Sequence, residues 1–272
     1  MLAPDLDAVT RLIHQVSDDI IVPRFRALGD GDVRAKTSAG DLDDIVTIAD
    51  QEAETALTSG LRALLDAPVV GEEAAAADAS ILERLQGDGP VWIVDPLDGT
   101  KNFAAGDDGF GVMVSLAERR QVRAAWIHLP VRSETFVAES GGGAWFNGAR
   151  VHVPDTSVPL RPTGSAFVRF MDPSERAVFT ARLDGRYEPV TASGAAAVEY
   201  TDVLRGRKDF VIYYRLLPWD HGTPALILTE AGGMVVHLDG APYTIASPNQ
   251  VTVVARSGPV QAQVRACLGG TA

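Results

Sequence analysis

Hydrophobic residues recur every three or four positions near the start of the chain, which predicts an amphipathic first helix. Its apolar positions are Leu6, Val9, Ile13, Val16 and Ile20. The polar, glycine-containing segment 29–44 that follows is typical of a loop or hairpin. A second helix is expected from about Asp50, with Pro68 ending it. Its inward positions are predicted to be Ala53, Leu57, Leu61 and Leu64.

Shorter apolar runs replace the helical spacing in the middle of the chain and predict strands. The first is Val69–Val70, which leads into a glycine, two glutamates and an alanine-rich, helix-like region. Further strands are expected over residues 91–95, 110–117, 122–128 and 134–138. The dipeptide Asn147-Gly148 lies between two apolar runs and is a two-residue hairpin signal. This part of the chain therefore predicts a hairpin-rich sheet.

Prolines crowd a linker-like stretch at positions 154, 159 and 162. We expect a boundary there between an N-terminal lobe, residues 1–153, and a C-terminal lobe, residues 154–272, of one functional unit. Beyond it, helices and strands alternate. The predicted strands are 165–170, 209–214, 234–238 and 251–255, and the predicted helices are 173–183, 195–206, one from about Asp220 and one at the C-terminus. This order predicts an α/β fold (α+β layered), in which helix layers cover the sheets.

The composition and net charge limit the classes of molecule that the protein is expected to bind. The 272 residues are 46% hydrophobic, which is enough for a large packed core. With 24 basic and 36 acidic residues, the net charge is −12. An acidic surface disfavours nucleic acid and anionic membrane as partners, because both require clusters of Lys and Arg. It does not disfavour phosphorylated substrates, since a bound cation can reverse the field within one cleft.

Cysteine usage and the chain start bear on location. Cys267 is the only cysteine, which excludes an intrachain disulfide and an all-cysteine metal site, and its apolar helix position predicts a structural role. The N-terminal segment lacks the basic region and apolar run of a signal peptide. No segment approaches the roughly 20 apolar residues of a membrane span. We therefore expect a soluble, cytoplasmic protein.

The sequence VWIVDPLDGTKNF ends an apolar strand on two carboxylates. Pro96 favours an extended Asp95, so that Asp95 and Asp98 can point toward a common place. Neighbouring carboxylates repel unless a proton or cation joins them, and Mg²⁺ suits such hard oxygen ligands. The backbone amides of Gly99 and Thr100 would add an anion site if a helix or tight turn begins there. Taken alone, Asp-Pro and Asp-Gly are also ordinary turn signals.

Two further places put acids at the end of a strand or the start of a helix. Glu72 and Glu73 follow the short strand predicted at Val69–Val70. Asp220 precedes a helix whose expected inward positions are Ala225, Leu226, Leu228 and Ala231. Taken alone, Asp220 favours a simple N-cap. Together, the three acidic places indicate a metal site beside a phosphate site, the combination that a phosphoester hydrolase needs.

Three segments in this order, GEE, DPLDGTKNF and WDHGTPALILTEAGG, resemble those of the inositol monophosphatase family. This family belongs to the Mg²⁺-dependent, lithium-sensitive phosphatases, with fructose-1,6-bisphosphatases and bisphosphate nucleotidases. The likeness extends to IVTIAD, GAWFNG and SGAAAVEY and so covers nearly the whole chain. It implies an αβαβα sandwich of the sugar phosphatase type, hydrolysis of a small phosphorylated metabolite with two or three Mg²⁺ per active site, and a homodimer.

The resemblance also implies roles for individual residues. The ligands implied for a first Mg²⁺ are Glu72, Asp95 and the carbonyl of Leu97, and those for a second are Asp95, Asp98 and Asp220. Asp95 would bridge both ions and be the least replaceable residue. The pair implied to orient and deprotonate the attacking water is Glu72 and Thr100. The supporting carboxylates implied are Asp50 and Glu73, and Lys36 would lie on a loop that helps to hold a further metal.

The phosphate and the rest of the substrate would contact a second group of residues. The resemblance implies that these are Asp98, Gly99, Thr100, Ser165, Gly194, Ala196 and Asp220, with the amides of Gly99 and Thr100 cradling the phosphate. Tyr213 and Arg215 are further candidate substrate contacts, at a place where the chain departs from the family.

The chain departs from the inositol-specific pattern before the Trp-Asp pair. Inositol-specific relatives carry an acid where this chain has Tyr213, so no carboxylate is available there for ring hydroxyls. Arg215, if it faces inward, favours a substrate with a second anionic group. Alternatively, Arg215 is an exposed residue at the end of an ordinary strand. His221 could contact the leaving group, but a solvent-facing place in the first helical turn is favoured.

The leading hypothesis is a Mg²⁺-dependent phosphomonoesterase of the inositol monophosphatase type. Fructose-1,6-bisphosphatase, histidinol-phosphatase or 3′(2′),5′-bisphosphate nucleotidase activity would use the same chemistry, and Tyr213 and Arg215 motivate these alternatives. A hypothesis of a different class is a non-catalytic, regulatory family member. Such a protein should lack a metal ligand, whereas this chain keeps Glu72, Asp95, Asp98 and Asp220.

Overall fold

The computed structural model describes residues 5–36, 41, 43–154 and 157–270. Its α-helices are α1 (Leu6–Val16), α2 (Ile48–Leu64), α3 (Glu72–Ala77), α4 (Thr100–Ala105), α5 (Pro173–Leu183), α6 (Ala196–Leu204), α7 (Pro218–Glu230) and α8 (Gly258–Leu268). Its strands are β1 (Val33–Ala35), β2 (Ile45–Thr47), β3 (Val69–Gly71), β4 (Val91–Asp98), β5 (Gly111–Glu118), β6 (Gln121–Leu129), β7 (Glu134–Glu139), β8 (Gly143–Phe146), β9 (Ala149–Val151), β10 (Thr163–Phe167), β11 (Glu188–Pro189), β12 (Phe210–Tyr213), β13 (Met234–His237) and β14 (Thr252–Ala255).

The strands form two large sheets and one hairpin. The first sheet has the order β3-β4-β5-β6-β7-β8-β9 and is antiparallel except for the parallel pair β3–β4. The second has the order β11-β10-β12-β14-β13, with β10 parallel to both of its neighbours. β1 lies in the polar segment 29–44, where a loop or hairpin was expected, and pairs antiparallel with β2 directly after that segment. In the described residues, the first sheet precedes residue 154 and the second follows it; the division into two lobes stays a prediction.

Helices cover both sheets and produce five layers. α1 and α2 pack on one face of the first sheet, α6 and α7 lie between the sheets, and α5 and α8 cover the outer face of the second. Buried apolar clusters fill the interfaces between these layers. The predicted αβαβα sandwich is therefore confirmed, and its physical basis is that each sheet buries both faces.

Local sequence signals explain most element ends. Asn147 and Gly148 have φ values of 47° and 79° between β8 and β9, as a two-residue hairpin turn requires. One inward position is wrong: Leu64 is 44% exposed. The helical period places it on the inner face, but it is the last residue of α2 and the core beneath this helix ends at Leu61.

None of the described helices is long and apolar enough to cross a membrane.

A pair of histidines joins α1 to the first sheet. His14 Nε2 lies 2.8 Å and His128 Nδ1 3.0 Å from the Thr135 hydroxyl, and the two rings are 4.4 Å apart. Burial and, as the smaller cause, the nearby His14 lower the pKa of His128 to about 4. His128 is therefore neutral in the folded protein at pH values where an unfolded histidine takes up a proton.

We expect His128 to lower the free energy of unfolding by about 3 kcal/mol as the pH falls from about 6.5 to about 4, an effect opposite in sign to that of the buried carboxyl groups with raised pKa values. In this window the unfolded state binds the extra proton, so acid stabilises it. Urea unfolding across the pH range measures the effect. The wild type should lose about 3 kcal/mol relative to His128→Gln over this window, whereas His152→Gln, at an exposed position, should follow the wild type. Equal profiles for all three proteins would contradict the assignment.

Candidate active site

The two acidic strand ends meet at one edge of the first sheet. β3 and β4 are parallel with Gly71 opposite Val94, so Glu72 follows β3 at the level of Asp95 in β4. β4 continues through Asp98, and its pairing with β5 shifts register between Asp95 and Asp98. Such a shift bends a strand and redirects its side chains. The local fold therefore places three carboxylates at one edge, Glu72 from the end of β3 and Asp95 and Asp98 from β4.

A cleft of about 720 Å³ opens at this edge, a volume typical of small-molecule sites. The predicted site residues that line it are Lys36, Glu72, Asp95, Leu97, Asp98, Gly99, Thr100, Gly194, Arg215 and Asp220. The structure therefore brings all three acidic segments to one surface, while the role of each residue stays a prediction.

Asp220 reaches the cleft from the third position of α7. This helix begins at Pro218 with Leu217 as its N-cap, and no side chain makes a capping hydrogen bond. The N-cap interpretation of Asp220 is therefore wrong, because the helix begins two residues earlier than the sequence signal indicated. Instead, the carboxyl group of Asp220 lines the cleft with Asp98.

The N-terminus of α6 holds Asp98. The Ala196 amide donates to Asp98 Oδ1 at 3.1 Å and the Ala197 amide donates to Oδ2 at 2.7 Å. These are the first amides of a helix, which have no intrahelical acceptor and favour negative charge. In this structure the Ala196 amide therefore orients Asp98, and the contact of Ala196 with substrate that the resemblance implied stays a prediction.

Burial and mutual repulsion make the carboxyl groups of the cleft resist ionisation. Burial raises the pKa of Asp95 well above its usual value, and Glu72, Asp98 and Asp220 raise it further. Burial likewise raises the pKa of Asp98 to about 7, although the amides of α6 oppose the shift. The pKa of Asp220 is raised by burial and then by Glu72 and Asp98. A cluster of this kind favours a cation that would join its members.

Lys36 supplies one positive charge to this field. Its Nζ donates to Glu72 Oε1 and Glu73 Oε1, both at 2.7 Å. Burial by itself lowers the pKa of Lys36, but the two glutamates outweigh burial and raise it above its usual range. Burial and Glu72 raise the pKa of Glu73 to about 7. The ammonium group of Lys36 therefore lies beside Glu72 and Glu73, where it neutralises part of their negative charge.

The donor set fits a hard divalent cation in its chemistry. The candidate ligands are the carboxylates of Glu72, Asp95, Asp98 and Asp220 and the carbonyl of Leu97, all of them oxygen donors of the kind that Mg²⁺ takes. Among the described residues, no three Asp, Glu, His or Cys side chains converge closely enough to hold an ion as they stand. Lys36 holds Glu72 through its hydrogen bond, and the remaining carboxylates repel one another.

Asp50 fixes Thr100 from the first turn of α2. The Thr100 hydroxyl lies 2.8 Å from Asp50 Oδ1 and 3.0 Å from the Leu97 carbonyl oxygen, and its one hydrogen can be donated to only one of them. Asp50 also accepts from the Thr47 amide at 2.8 Å, in a capping box at the start of α2. Burial raises the pKa of Asp50 to about 6 against these hydrogen bonds. The pair Asp50–Thr100 therefore connects the helix cap to the cleft.

Glu54 is a positioning residue that sequence reasoning missed. Its buried carboxylate accepts from the amides of Glu73 and Ala74, both at 2.8 Å, and so fixes the start of α3 beside Glu72. The approach is tight, since a Cβ atom on Gly71 would lie 2.3 Å from Glu54 Cδ. The available signal was spacing: Glu54 precedes Leu57 and Leu61 by three and seven residues, on the inward face of α2.

A buried ion pair supports the loop before α6. Glu199 Oε2 accepts from Lys208 Nζ at 2.5 Å, and Glu199 Oε1 accepts from the Ser193 amide at 2.5 Å. Ser165 is buried and donates to Glu199 Oε2 at 2.7 Å. The expected substrate contact of Ser165 is therefore wrong, because its hydroxyl is used in this network behind the cleft. Asn102 contributes from the other side by donating to the Ser193 carbonyl at 2.7 Å.

We expect Lys208→Met to lower the free energy of unfolding by about 3 kcal/mol, because it leaves the buried Glu199 carboxylate without its cation. Urea unfolding measures the loss. Arg207→Met is the matched control, since Arg207 is exposed and its pairing with Asp202 should contribute little. Adding Glu199→Gln to Lys208→Met should recover most of the loss. Similar stabilities of the Lys208 and Arg207 variants would contradict a supporting role for the pair.

Tyr213, Arg215 and His221 line a smaller cavity that adjoins the cleft. Arg215 is half-buried there, so the interpretation of it as an exposed strand-end arginine is wrong. His221 is buried, so the solvent-facing interpretation is also wrong. Its Nε2 lies 3.0 Å from the Arg215 carbonyl, which can only accept, so Nε2 carries the proton and Nδ1 accepts from the Tyr200 hydroxyl at 3.1 Å. Burial lowers the pKa of His221 to about 3, which keeps the ring neutral.

Comparisons with known proteins identify the family of this chain. The model of the inositol monophosphatase family matches residues 5–267. The chain belongs to the inositol monophosphatase family. A fructose-1,6-bisphosphatase/inositol-1-monophosphatase of Thermotoga maritima is 34% identical over 208 residues, which are 76% of each chain. The structure of a Thermotoga maritima IMPase superposes with a TM-score of 0.80 at 29% identity and covers 97% of this chain and 96% of its own.

Members of the inositol monophosphatase family do not all carry phosphatase names. A Pseudomonas aeruginosa protein named Nus factor SuhB is 32% identical over 209 residues, 74% of this chain and 75% of its own. Membership therefore establishes the fold and a family of phosphatases, and the substrate must be argued from this chain's own residues.

Proposed function

We propose that the protein is a Mg²⁺-dependent phosphomonoesterase that hydrolyses a small phosphorylated metabolite. One observation carries the proposal: Glu72, Asp95, Asp98 and Asp220 line a single cleft together with Gly99 and Thr100, at the start of α4. Phosphoryl transfer requires positioning and neutralisation of charge, and little covalent chemistry from the protein. Carboxylates and backbone amides at one place are suited to that task.

In this proposal, the cations would be held by the residues that form the donor set: Glu72, Asp95, the carbonyl of Leu97, Asp98 and Asp220. When bound, divalent cations supply charge neutralisation for the phosphoryl group and an activated water. Asp98 is kept in place by the two amides of α6. Thr100, held by Asp50, would orient the water, and Glu72 would accept its proton.

Release of inorganic phosphate from a panel of phosphorylated metabolites tests the proposal. Hydrolysis should require Mg²⁺ and stop when the ion is chelated, because the carboxyl groups of the cleft otherwise repel the phosphate. Activity that survives complete chelation of Mg²⁺ would contradict the metal-dependent mechanism. Absence of phosphate release from every member of the panel, with Mg²⁺ supplied, would contradict the phosphatase function.

A non-catalytic role is the second candidate, and the relative named Nus factor SuhB is the observation that favours it. Against it, the chain keeps all four candidate metal-ligating acids, and its net charge of −12 disfavours direct contact with nucleic acid. The phosphate-release panel separates the two candidates, since a regulatory protein without turnover would release phosphate from none of its members.

Two further properties follow from the family alone. We infer inhibition by lithium and a homodimeric assembly. Titration of phosphate release with lithium salts tests the first inference. Sedimentation at several protein concentrations tests the second, and a single species of 28.8 kDa would contradict it.

A further inference from the structure

The smaller cavity beside the cleft opens on two of the same carboxylates. Its volume is about 150 Å³, and Asp98 and Asp220 line both the cavity and the cleft. A protein cavity of this volume holds about one benzene-sized ring. A phosphomonoester with its phosphate in the cleft would therefore extend its alcohol part into this cavity, and the walls of the cavity would select that part.

Arg215 is a guanidinium group in this wall whose charge acts on the nearby Asp220. Its Cζ lies 4.0 Å from the ring centroid of Phe170, and no hydrogen bond or ion pair of its side chain is found among the described residues. Arg169 differs, because it lies over the same ring but is paired with Asp41. An arginine that is half-buried beside an aromatic ring and keeps its donors free is suited to a planar or phosphate-like anion.

The backbone at Arg215 is held in place by two hydrogen bonds. His221 Nε2 donates to the Arg215 carbonyl at 3.0 Å, and the Leu216 amide donates to Asn249 Oδ1 at 2.8 Å. His221 is itself fixed by the Tyr200 hydroxyl at 3.1 Å. The segment between β12 and α7 is therefore pre-organised, so that binding an anion there requires little ordering of the chain.

Tyr213 offers a second donor in the same wall. Its ring stacks between Phe167 at 4.9 Å and Tyr200 at 5.7 Å, which fixes its position. Its hydroxyl group is buried and has no hydrogen-bond partner in the described part of the chain. A buried hydroxyl group without a partner is unfavourable, so Tyr213 is a second polar residue in this wall, whose hydroxyl group a ligand oxygen reaching past the cavity surface would satisfy.

We propose that this cavity is a subsite for a second anionic group, so that the substrate is a phosphomonoester whose alcohol part is about one ring in size and carries a carboxylate or a further phosphate. This inference rests on the proposed phosphatase function, because that function places the first phosphate in the cleft. A neutral polyol would gain less from Arg215, because a charge-assisted hydrogen bond from a guanidinium group to an anion is stronger than one to a hydroxyl group.

Binding of two matched phosphonates tests the subsite without turnover. Benzylphosphonate and 4-(phosphonomethyl)benzoate differ by one carboxylate, and calorimetry with Mg²⁺ present gives both dissociation constants. We expect the carboxylate to tighten binding about tenfold or more, as a charge-assisted hydrogen bond should. Arg215→Gln should reduce this ratio to near one. Arg207→Gln, at an exposed position paired with Asp202, is the matched control and should keep the ratio.

Tyr213→Phe separates a ligand-binding role from a structural one. The variant keeps the stacked ring and removes a hydroxyl group that has no described partner, so the melting temperature should not fall. The preference for the carboxylate should fall about three- to tenfold, the effect of one lost hydrogen bond. A lower melting temperature with an unchanged preference would assign the hydroxyl to the fold and overturn its part in the subsite.

Hydrolysis of three aryl phosphates then identifies the source of the anion. The esters are 4-(hydroxymethyl)phenyl, 4-carboxyphenyl and 4-(phosphonomethyl)phenyl phosphate, compared by kcat/KM. Preference for either charged ester, lost in Arg215→Gln, supports the subsite and distinguishes carboxylate from phosphate. Equal turnover of all three, or a preference that survives Arg215→Gln, would overturn it. If none is hydrolysed but the binding preference holds, the phosphatase function fails and the subsite stands.

Discussion

Replacement of Asp95 by asparagine is expected to lower phosphate release about a thousandfold or more while leaving the protein folded. Asp95 is buried at the point where β3, β4 and α7 bring their acids together, and its pKa is raised by burial and by all three neighbouring carboxyl groups. It is the candidate ligand shared by both proposed cations, so no other residue can replace its charge. Phosphate release with saturating Mg²⁺ measures the loss.

Thermal stability provides the second half of this test. Without divalent cations, Asp95→Asn should raise the melting temperature, because it removes one buried charge from a repelling cluster; a gain of about 1 kcal/mol is expected. Asp66→Asn, at an exposed side chain, is the matched control and should change neither property. A variant that retains most activity would show that Asp95 is not a shared ligand. A variant that is unfolded would show that its role is structural.

Gly99→Ala should abolish activity and lower the free energy of unfolding by about 3 kcal/mol or more. Gly99 separates Asp98 from Thr100 and has a φ of +86°. An added Cβ atom would lie 2.7 Å from the Gly109 carbonyl oxygen and 2.9 Å from Ala195 Cβ, so backbone on both sides of the cleft must move. Any such movement displaces the carboxylate on one side and the hydroxyl on the other.

Gly141→Ala isolates the steric part of that effect. Gly141 also has a positive φ, +74°, but no atom lies within 4 Å of its added Cβ. Its replacement should cost only the strain of a left-handed residue, about 1 kcal/mol, and should preserve activity. Denaturant unfolding and phosphate release are measured for both variants. If the two lose the same stability, the close approach at Gly99 does not constrain the site.

Much of the fold could be predicted because its signals are local. The helical spacing around Val9 and Ile13, the apolar run before Asp95 and the Asn147-Gly148 turn depend on residues near one another in sequence, and each element was found where expected. Leu64 was mispredicted because periodicity continues to the end of a helix, whereas the core beneath it does not.

The candidate site was predictable to the extent that its residues lie in short motifs. The acids near Glu72, Asp95 and Asp220 are recognisable by their places at strand ends and helix starts. Glu54, Glu199 and Lys208 were missed, since a charged residue within a helix or loop looks solvent-exposed until its buried partner is known. Ser165 was misassigned for the same reason, because its partner Glu199 lies 34 positions away.

By itself, the sequence determined the order and type of the elements, the acidic motifs and the absence of a carboxylate at Tyr213. Only the tertiary structure decided that Ala196 orients Asp98, that Ser165 belongs to a buried network and that Arg215 lines the cavity. The physical reason is distance along the chain. Periodicity and turn preferences act between neighbouring residues, whereas the partner of a buried polar group is set by packing between segments that meet only in the folded protein.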